Sequence, residues 1–201
     1  MSVIISANYS ALQGLLSGIA FLLLVACVIT KTALLRKRGV RAMVFGQTNK
    51  SDFFLIPVIL AVVYASFARS LGLPMWSLLL KPFWSSSAPG WFGLALCALA
   101  VVVLIMALSA FGNSFRVGID VKDPDELITK GIFSISRNPI YLCFLFVLAG
   151  LFLIHRNLVM AFAAAAFVVV IHRQVLREEK FLEDHYGEEY LIYRKKVRRY
   201  F

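Results

Sequence analysis

Acidic side chains are scarce in this sequence: 11 Asp and Glu stand against 21 Lys and Arg, for a formal net charge of +10. Such an imbalance invites a nucleic-acid partner. The basic residues, however, flank apolar runs instead of forming one soluble basic face, which argues against nucleic acid and for a membrane surface. Cysteine is rare too. Cys27, Cys97 and Cys143 are far apart and each lies inside an apolar run, so there is no disulfide framework and no CxxC pair. The three histidines, His155, His172 and His185, are widely separated, which excludes a metal site of ordinary spacing. GxGxxG, P-loop, HExxH and GxSxG motifs are all missing, and with them the usual dinucleotide, nucleotide, metalloprotease and serine-hydrolase chemistries. No basic n-region or AxA-like site surrounds the first apolar run, so a retained anchor is expected. There is no internal repeat and no low-complexity stretch.

What the sequence has in excess is hydrophobicity: 60% of its 201 residues are hydrophobic, and mean hydropathy is +0.80. Five apolar runs stand out: Leu12–Thr30, Phe53–Leu71, Trp91–Phe111, Pro139–Ile154 and Leu158–Ile171. The first three reach the roughly 20 residues that a hydrocarbon core requires. The last two are shorter, and the tight His155-Arg156-Asn157 joint between them predicts an antiparallel helical hairpin. The fold class expected is all-α, a polytopic membrane bundle of about five spans with a C-terminal hairpin and a helical tail. Residues 1–201 read as one integral membrane domain, with N-terminal helices over 1–90 and a core over 91–201. The 31–52, 112–138 and 172–201 segments are rich in Lys and Arg, whereas the first nine residues carry no charged side chain. The positive-inside rule therefore puts the N-terminus outside and the tail in the cytoplasm.

Polarity is concentrated at the two cytoplasmic segments that bracket the hairpin. In "SISRNPIYL", residues 134–142, Asn138 suits an N-cap and Pro139 the first helical position. A helix start there also offers positive potential to a carboxylate or phosphate. In the tail, a helix is expected to run out of the membrane to Tyr186 and stop at Gly187, with a second short helix after it. Glu178 and Glu179 fall about two turns beyond the last apolar run. They form either a solvated face with local ion pairs or an acidic pair at the mouth of the bundle.

Three stretches in this order, "FGNSFRVGI" (111–119), "DELITKGIFSISRNPIY" (125–141) and "EEKFLEDHYGEEYLIYRKKV" (178–197), resemble the isoprenylcysteine carboxyl methyltransferase family, membrane enzymes related to phospholipid methyltransferases. The resemblance implies S-adenosyl-L-methionine as cofactor and a site at the cytoplasmic end of the hairpin. Asp125, Glu126, Leu127 and Ile128 would line one side, with Phe133 where the family has Tyr. Asn138, Pro139, Ile140 and Tyr141 would form the helix-mouth contact, and Glu178 would approach from the last helix. Two positions depart from the pattern: Asn138 replaces a His, and Gln174 replaces an Arg. Arg173 is the neighbouring cation expected to serve the acceptor, with Arg177, one turn further on, as the runner-up.

The chemistry suits these residues. Methyl transfer from a sulfonium is an in-line displacement in which the cofactor carries the reactive group, and the protein must orient the partners and exclude water. A carboxylate or thiolate acceptor needs no strong general base. The substrate is expected to be a lipophilic small molecule or lipid, with membrane lipids as the other partner and no metal. A phospholipid N-methyltransferase is the alternative enzyme. A carrier or assembly subunit is the non-enzymatic one.

Overall fold

The computed structural model describes residues 2–39, 55–68, 71–74, 81–112, 114–115 and 126–201, with the side chains of residues 2–10, 55 and 58 outside the description. Six α-helices are found among the described residues: α1 Ser2–Lys37, α2 Leu55–Ala68, α3 Ala88–Phe111, α4 Pro139–His155, α5 Leu158–Tyr186 and α6 Glu188–Lys196. A short 3-10 turn spans Gly131–Ser134. There is no strand among them, only an isolated parallel bridge between Ser136 and Arg198.

Three helices are long and apolar enough to cross a membrane: α1 over Ala11–Lys37, α3, and α5. The sequence expects five spans; α2 and α4 are apolar but shorter. At 17 residues, α4 is about 25 Å long, slightly under a ~30 Å hydrocarbon core. α5 is longer than its apolar run because it continues unbroken into the polar tail, as expected, and ends at Gly187 (φ 53°).

Contacts along the helices fix their order. Gln13 Nε2 donates to Ser87 O at 3.1 Å, and Gly90 lies against the same side chain, so α1 and α3 run side by side in one direction. Gly18 of α1 meets the ring of Phe67 near the end of α2. Gly93 faces Gly150, and Phe111 packs edge-on against Phe133, which makes α3 and α4 antiparallel. The hairpin expected at His155-Arg156-Asn157 is present. Arg156 adopts left-handed φ 42°, ψ 40°, and the Asn157 side chain caps α5 by accepting from Met160 N at 2.8 Å. This alternation brings the basic end of α1, the end of α3, the start of α4 and the tail to one end of the bundle.

The core is built from small residues where backbones meet. On α3 the buried face includes Gly90, Gly93, Cys97, Ala100 and Ala107, while Leu99, Val102, Ile105 and Met106 point outward. Val103, Leu104 and Leu108 fill the same buried face further along; the small residues are the arrangement for helices in lipid, where close backbone approach replaces the hydrophobic drive. Phe21, Leu24, Val62 and Ala65 of α1 and α2 join Cys97, Leu104, Cys143, Val147 and Met160 in one cluster. All three cysteines are free.

A Cβ built on Gly150 would lie 2.4 Å from Gly93 O and 2.7 Å from Cys97 Sγ. Gly150→Val is therefore expected to force α3 and α4 apart at a cost of about 1–3 kcal/mol. Ala165→Leu, on the exposed face of α5, should be nearly silent. Thermal unfolding in detergent compares the two; equal midpoints would contradict the close packing.

Candidate active site

The mouth of the hairpin is where the chain's polar groups converge. Gly131 (φ 65°) opens the 3-10 turn. The chain then passes Ser136, Arg137 and Asn138 and enters α4 at Pro139, the first helical residue. Asn138 stands at the N-cap position, but its side chain makes no capping bond, contrary to expectation. Asn138 Nδ2 donates instead to Glu179 Oε1 (3.1 Å) and to Arg199 O (3.2 Å). A cap would use the side-chain oxygen as acceptor; here the NH2 end is held by a charged acceptor and a tail carbonyl, and the oxygen makes no cap.

Glu179 is the centre of this arrangement. It is 5% exposed and lies between two guanidinium groups. Arg137 Nη2 approaches Oε1 at 3.2 Å. Arg199 grips both oxygens, Nε at 3.1 Å from each and Nη2 at 2.8 Å from Oε2. Arg137 Nη1 also donates to Tyr190 OH at 3.1 Å, and Tyr193 OH donates to Phe133 O at 2.6 Å. Arg137 N donates to Arg198 O at 3.0 Å, and Ser136 Oγ to Arg199 O at 3.2 Å. The tail is thus roofed over the helix mouth. Burial, and then the Glu179 charge, pushes the Tyr190 hydroxyl above its ordinary pKa. Burial raises Tyr193 as well, and the Glu179 hydrogen bond raises Arg199.

Neighbouring Glu178 points elsewhere, since successive helical residues diverge by about 100°. Its Oε1 accepts from Tyr141 OH at 2.5 Å and from Gln174 Nε2 at 2.9 Å. Gln174 Oε1 in turn accepts from Arg177 Nη2 at 2.5 Å. Tyr141, Glu178, Gln174 and Arg177 therefore form one half-buried string across α4 and α5. On the same hairpin, Leu145, Leu148, Ala149, Phe152, Ala161, Ala164 and Val168 line an apolar groove of about 270 Å³.

The remaining expected residues sit as follows. Asp125 lies outside the described residues. Glu126 is exposed, and Leu127 and Ile128 are half-buried, Ile128 packing on the core. Phe133 is buried against Phe111, ring centroids 4.7 Å apart. Pro139 is fully buried, and Ile140 packs on the core. Arg173 is exposed and makes no ion pair among the described residues. Sequence reasoning missed Glu179 as a buried group, together with Arg199, Tyr190 and Tyr193. The i, i+3 spacing of the two tyrosines was a usable signal for a helix face docking inward; nothing local marks Arg199. No group of three metal-ligating side chains occurs among the described residues.

The sequence model of the phospholipid methyltransferase family matches residues 89–189, which span α3, the mouth, the hairpin and the start of α6. The chain belongs to the phospholipid methyltransferase family. Among curated proteins it is 31% identical over 124 residues to a probable protein-S-isoprenylcysteine O-methyltransferase of Oryza sativa subsp. indica, covering 59% of this chain and 62% of that protein. Over 112 residues it is 30% identical to protein-S-isoprenylcysteine O-methyltransferase B of Arabidopsis thaliana, covering 53% and 55%. The chain thus spans less than two thirds of the length of these relatives. The matched region includes Tyr141, Gln174, Arg177, Glu178 and Glu179 and stops just short of Tyr190.

Replacing Glu179 by Gln leaves Arg137 and Arg199 without their carboxylate. Breaking a buried pair costs about 3 kcal/mol, taken at the lower end because Arg199 is partly exposed. Glu179→Gln should loosen residues 197–201, read as faster hydrogen exchange there, while Glu178→Gln leaves that exchange unchanged. A second expectation concerns alkaline pH. The raised Tyr190 and Tyr193 values mean that docking favours the neutral phenols. That stability is complete below the ordinary tyrosine pKa of about 10 and is lost as pH rises through the folded values. Absorbance of phenolate should show Tyr190 and Tyr193 titrating above the ordinary tyrosine range and α6 detaching as they do; titration of all seven tyrosines together near the ordinary value would exclude it.

Proposed function

We propose that the chain transfers a methyl group from S-adenosyl-L-methionine to a lipophilic acceptor bearing a small anionic head. The observation that carries this reading is the string from Tyr141 through Glu178 and Gln174 to Arg177, set on the hairpin that also holds the apolar groove. Family membership supports a methyltransferase, and the names of the relatives support a prenylated, carboxylate-bearing acceptor.

The residues fit such a cofactor. Glu178 is an oriented carboxylate suited to an ammonium or sulfonium. Arg137 Nε is buried with no hydrogen-bond partner among the described residues and is a spare donor for a carboxylate. When bound, the cofactor supplies an electrophilic methyl on sulfur. In this chain, Tyr141 and Gln174 fix the Glu178 carboxylate. Asn138 acts from behind, bonded to Glu179 and Arg199, and so positions the mouth. Glu126, Leu127 and Ile128 are assigned to the loop wall, with Phe133, Pro139 and Ile140 as the packed floor that keeps water out. We assign the acceptor head to Arg177 in preference to Arg173, because Arg177 is held beside Glu178 while Arg173 is exposed. The basic loops support a cytoplasmic mouth. Phospholipid amine as acceptor is the second reading, favoured by the matching family description; the Arg177 cation opposes it.

Glu178→Gln and Tyr141→Phe should each lower S-adenosylmethionine affinity, since losing a hydrogen bond or charge in a half-buried site costs about 1–3 kcal/mol, or roughly 5- to 150-fold. Arg177→Ala should keep cofactor affinity and lower turnover of a prenylcysteine carboxylate by about tenfold or more. Calorimetry with the cofactor and methyl transfer in lipid nanodiscs provide the two readouts. Methylation of phosphatidylethanolamine but not of the carboxylate would transfer the assignment to the amine reading.

A further inference from the structure

The tail does more than roof the mouth: its outer side carries exposed cations and an exposed aromatic ring. Gly187 (φ 53°) reverses the chain at the end of α5, so α6 runs back toward the bundle. Tyr193 reaches Phe133, and Arg198 bridges Ser136, which brings residues 193–198 level with the start of α4. From there the chain descends along the hairpin. Tyr200 OH meets His172 Nδ1 at 3.2 Å and packs beside Leu148, Phe167 and Ile171. The Phe201 ring stacks on Phe146, centroids 6.4 Å apart and planes within 10°. Phe146 is seven residues into α4, about 10 Å along its axis from Pro139. Phe201 is nevertheless 72% exposed. An exposed ring at that depth, beside an apolar helix of a membrane bundle, is of the kind that enters an acyl layer.

The charges above it are arranged accordingly. Of the five basic residues from 194 to 199, Arg194 pairs with Glu183 and Arg199 with Glu179. Lys195, Lys196 and Arg198 are exposed and make no ion pair among the described residues. Three unneutralised cations one short step above an inserted phenyl ring match the headgroup and acyl layers of a bilayer.

We infer that residues 194–201 are an interfacial anchor that binds anionic phospholipid headgroups through Lys195, Lys196 and Arg198, with Phe201 inserted beneath them. Because Arg199 lies in the same segment, anionic lipid holds the roof on the mouth. The family match ends before this segment, and the inference does not depend on methyl transfer. Each cation near an anionic surface favours docking by roughly fivefold, so three together give on the order of a hundredfold.

The test is hydrogen exchange of the full chain in two nanodiscs, one of phosphatidylcholine alone and one with about a third phosphatidylglycerol. Exchange over 194–201 should slow at least about tenfold in the anionic discs, and this protection should fade at high salt. In a Lys195→Gln, Lys196→Gln, Arg198→Gln variant the slowing should vanish, while exchange in α4 and α5 stays as in the unaltered protein, showing that the bundle is intact. Equal exchange in the two discs overturns the inference. So does slowing that persists in the triple variant, which would put the anionic-lipid contact on residues other than Lys195, Lys196 and Arg198.

Discussion

The mouth of the bundle depends on one carboxylate held between two guanidinium groups. Glu179 belongs to α5, Arg137 to the segment entering α4, and Arg199 to the tail beyond α6. Three separate parts of the chain meet at one buried charge, and none of them has another acid with which to replace it among the described contacts. Without that carboxylate, two cations would face each other in poorly solvating surroundings. The same carboxylate takes the NH2 of Asn138, whose side chain makes no cap on α4.

The rest of the bundle supplies the rigidity this knot needs. In lipid, apolar area drives little association between helices, so the helices are held by close contact of small residues. The Gly93 and Gly150 backbones approach each other near one end of α3 and α4, and Phe111 meets Phe133 at the other. The 3-10 turn leading to Arg137 is thereby tied to α3, and the hairpin cap at Asn157 fixes the register of α5 against α4. With both helices fixed, Tyr141 reaches Glu178 across the seam.

Much of this was legible in the sequence because it is local. Apolar run length gave the helices; Pro139 and Gly187 gave a start and a stop; the three-residue joint gave the hairpin. Polar residues on both sides of that hairpin marked its mouth as the place to look, and Tyr141, Glu178 and Arg177 are indeed brought together there. What was hidden is non-local. Asn138 satisfies every local rule for an N-cap, and it was diverted by partners 41 and 61 residues away in the chain. Glu178 and Glu179 look equivalent in sequence; only the facing helix decides which is buried. Arg199 sits among Lys195, Lys196 and Arg198 in a basic cluster where nothing distinguishes the one that turns inward. The departure at Gln174 is legible as a substitution, but its bridging of Arg177 to Glu178 required the rotamers.

Charge balance gives a last reason to prefer an anionic acceptor under the methyl-transfer reading. The side chains of the mouth, Arg137, Arg177 and Arg199 against Glu178 and Glu179, sum to one positive charge. That sum, added to the positive end of α4, attracts an anionic acceptor, while Glu178 serves the cationic cofactor. Transfer of a methyl from a sulfonium to a carboxylate consumes one positive and one negative charge and leaves a thioether and an ester. Transfer to an amine only moves the positive charge from sulfur to nitrogen. A reaction that removes charge gains from a poorly polar setting, because its reactants lose more solvation than its transition state. The half-buried string, on the same hairpin as a groove lined by apolar side chains, is such a setting, so both the sign of the mouth and its polarity favour the acceptor whose charge disappears.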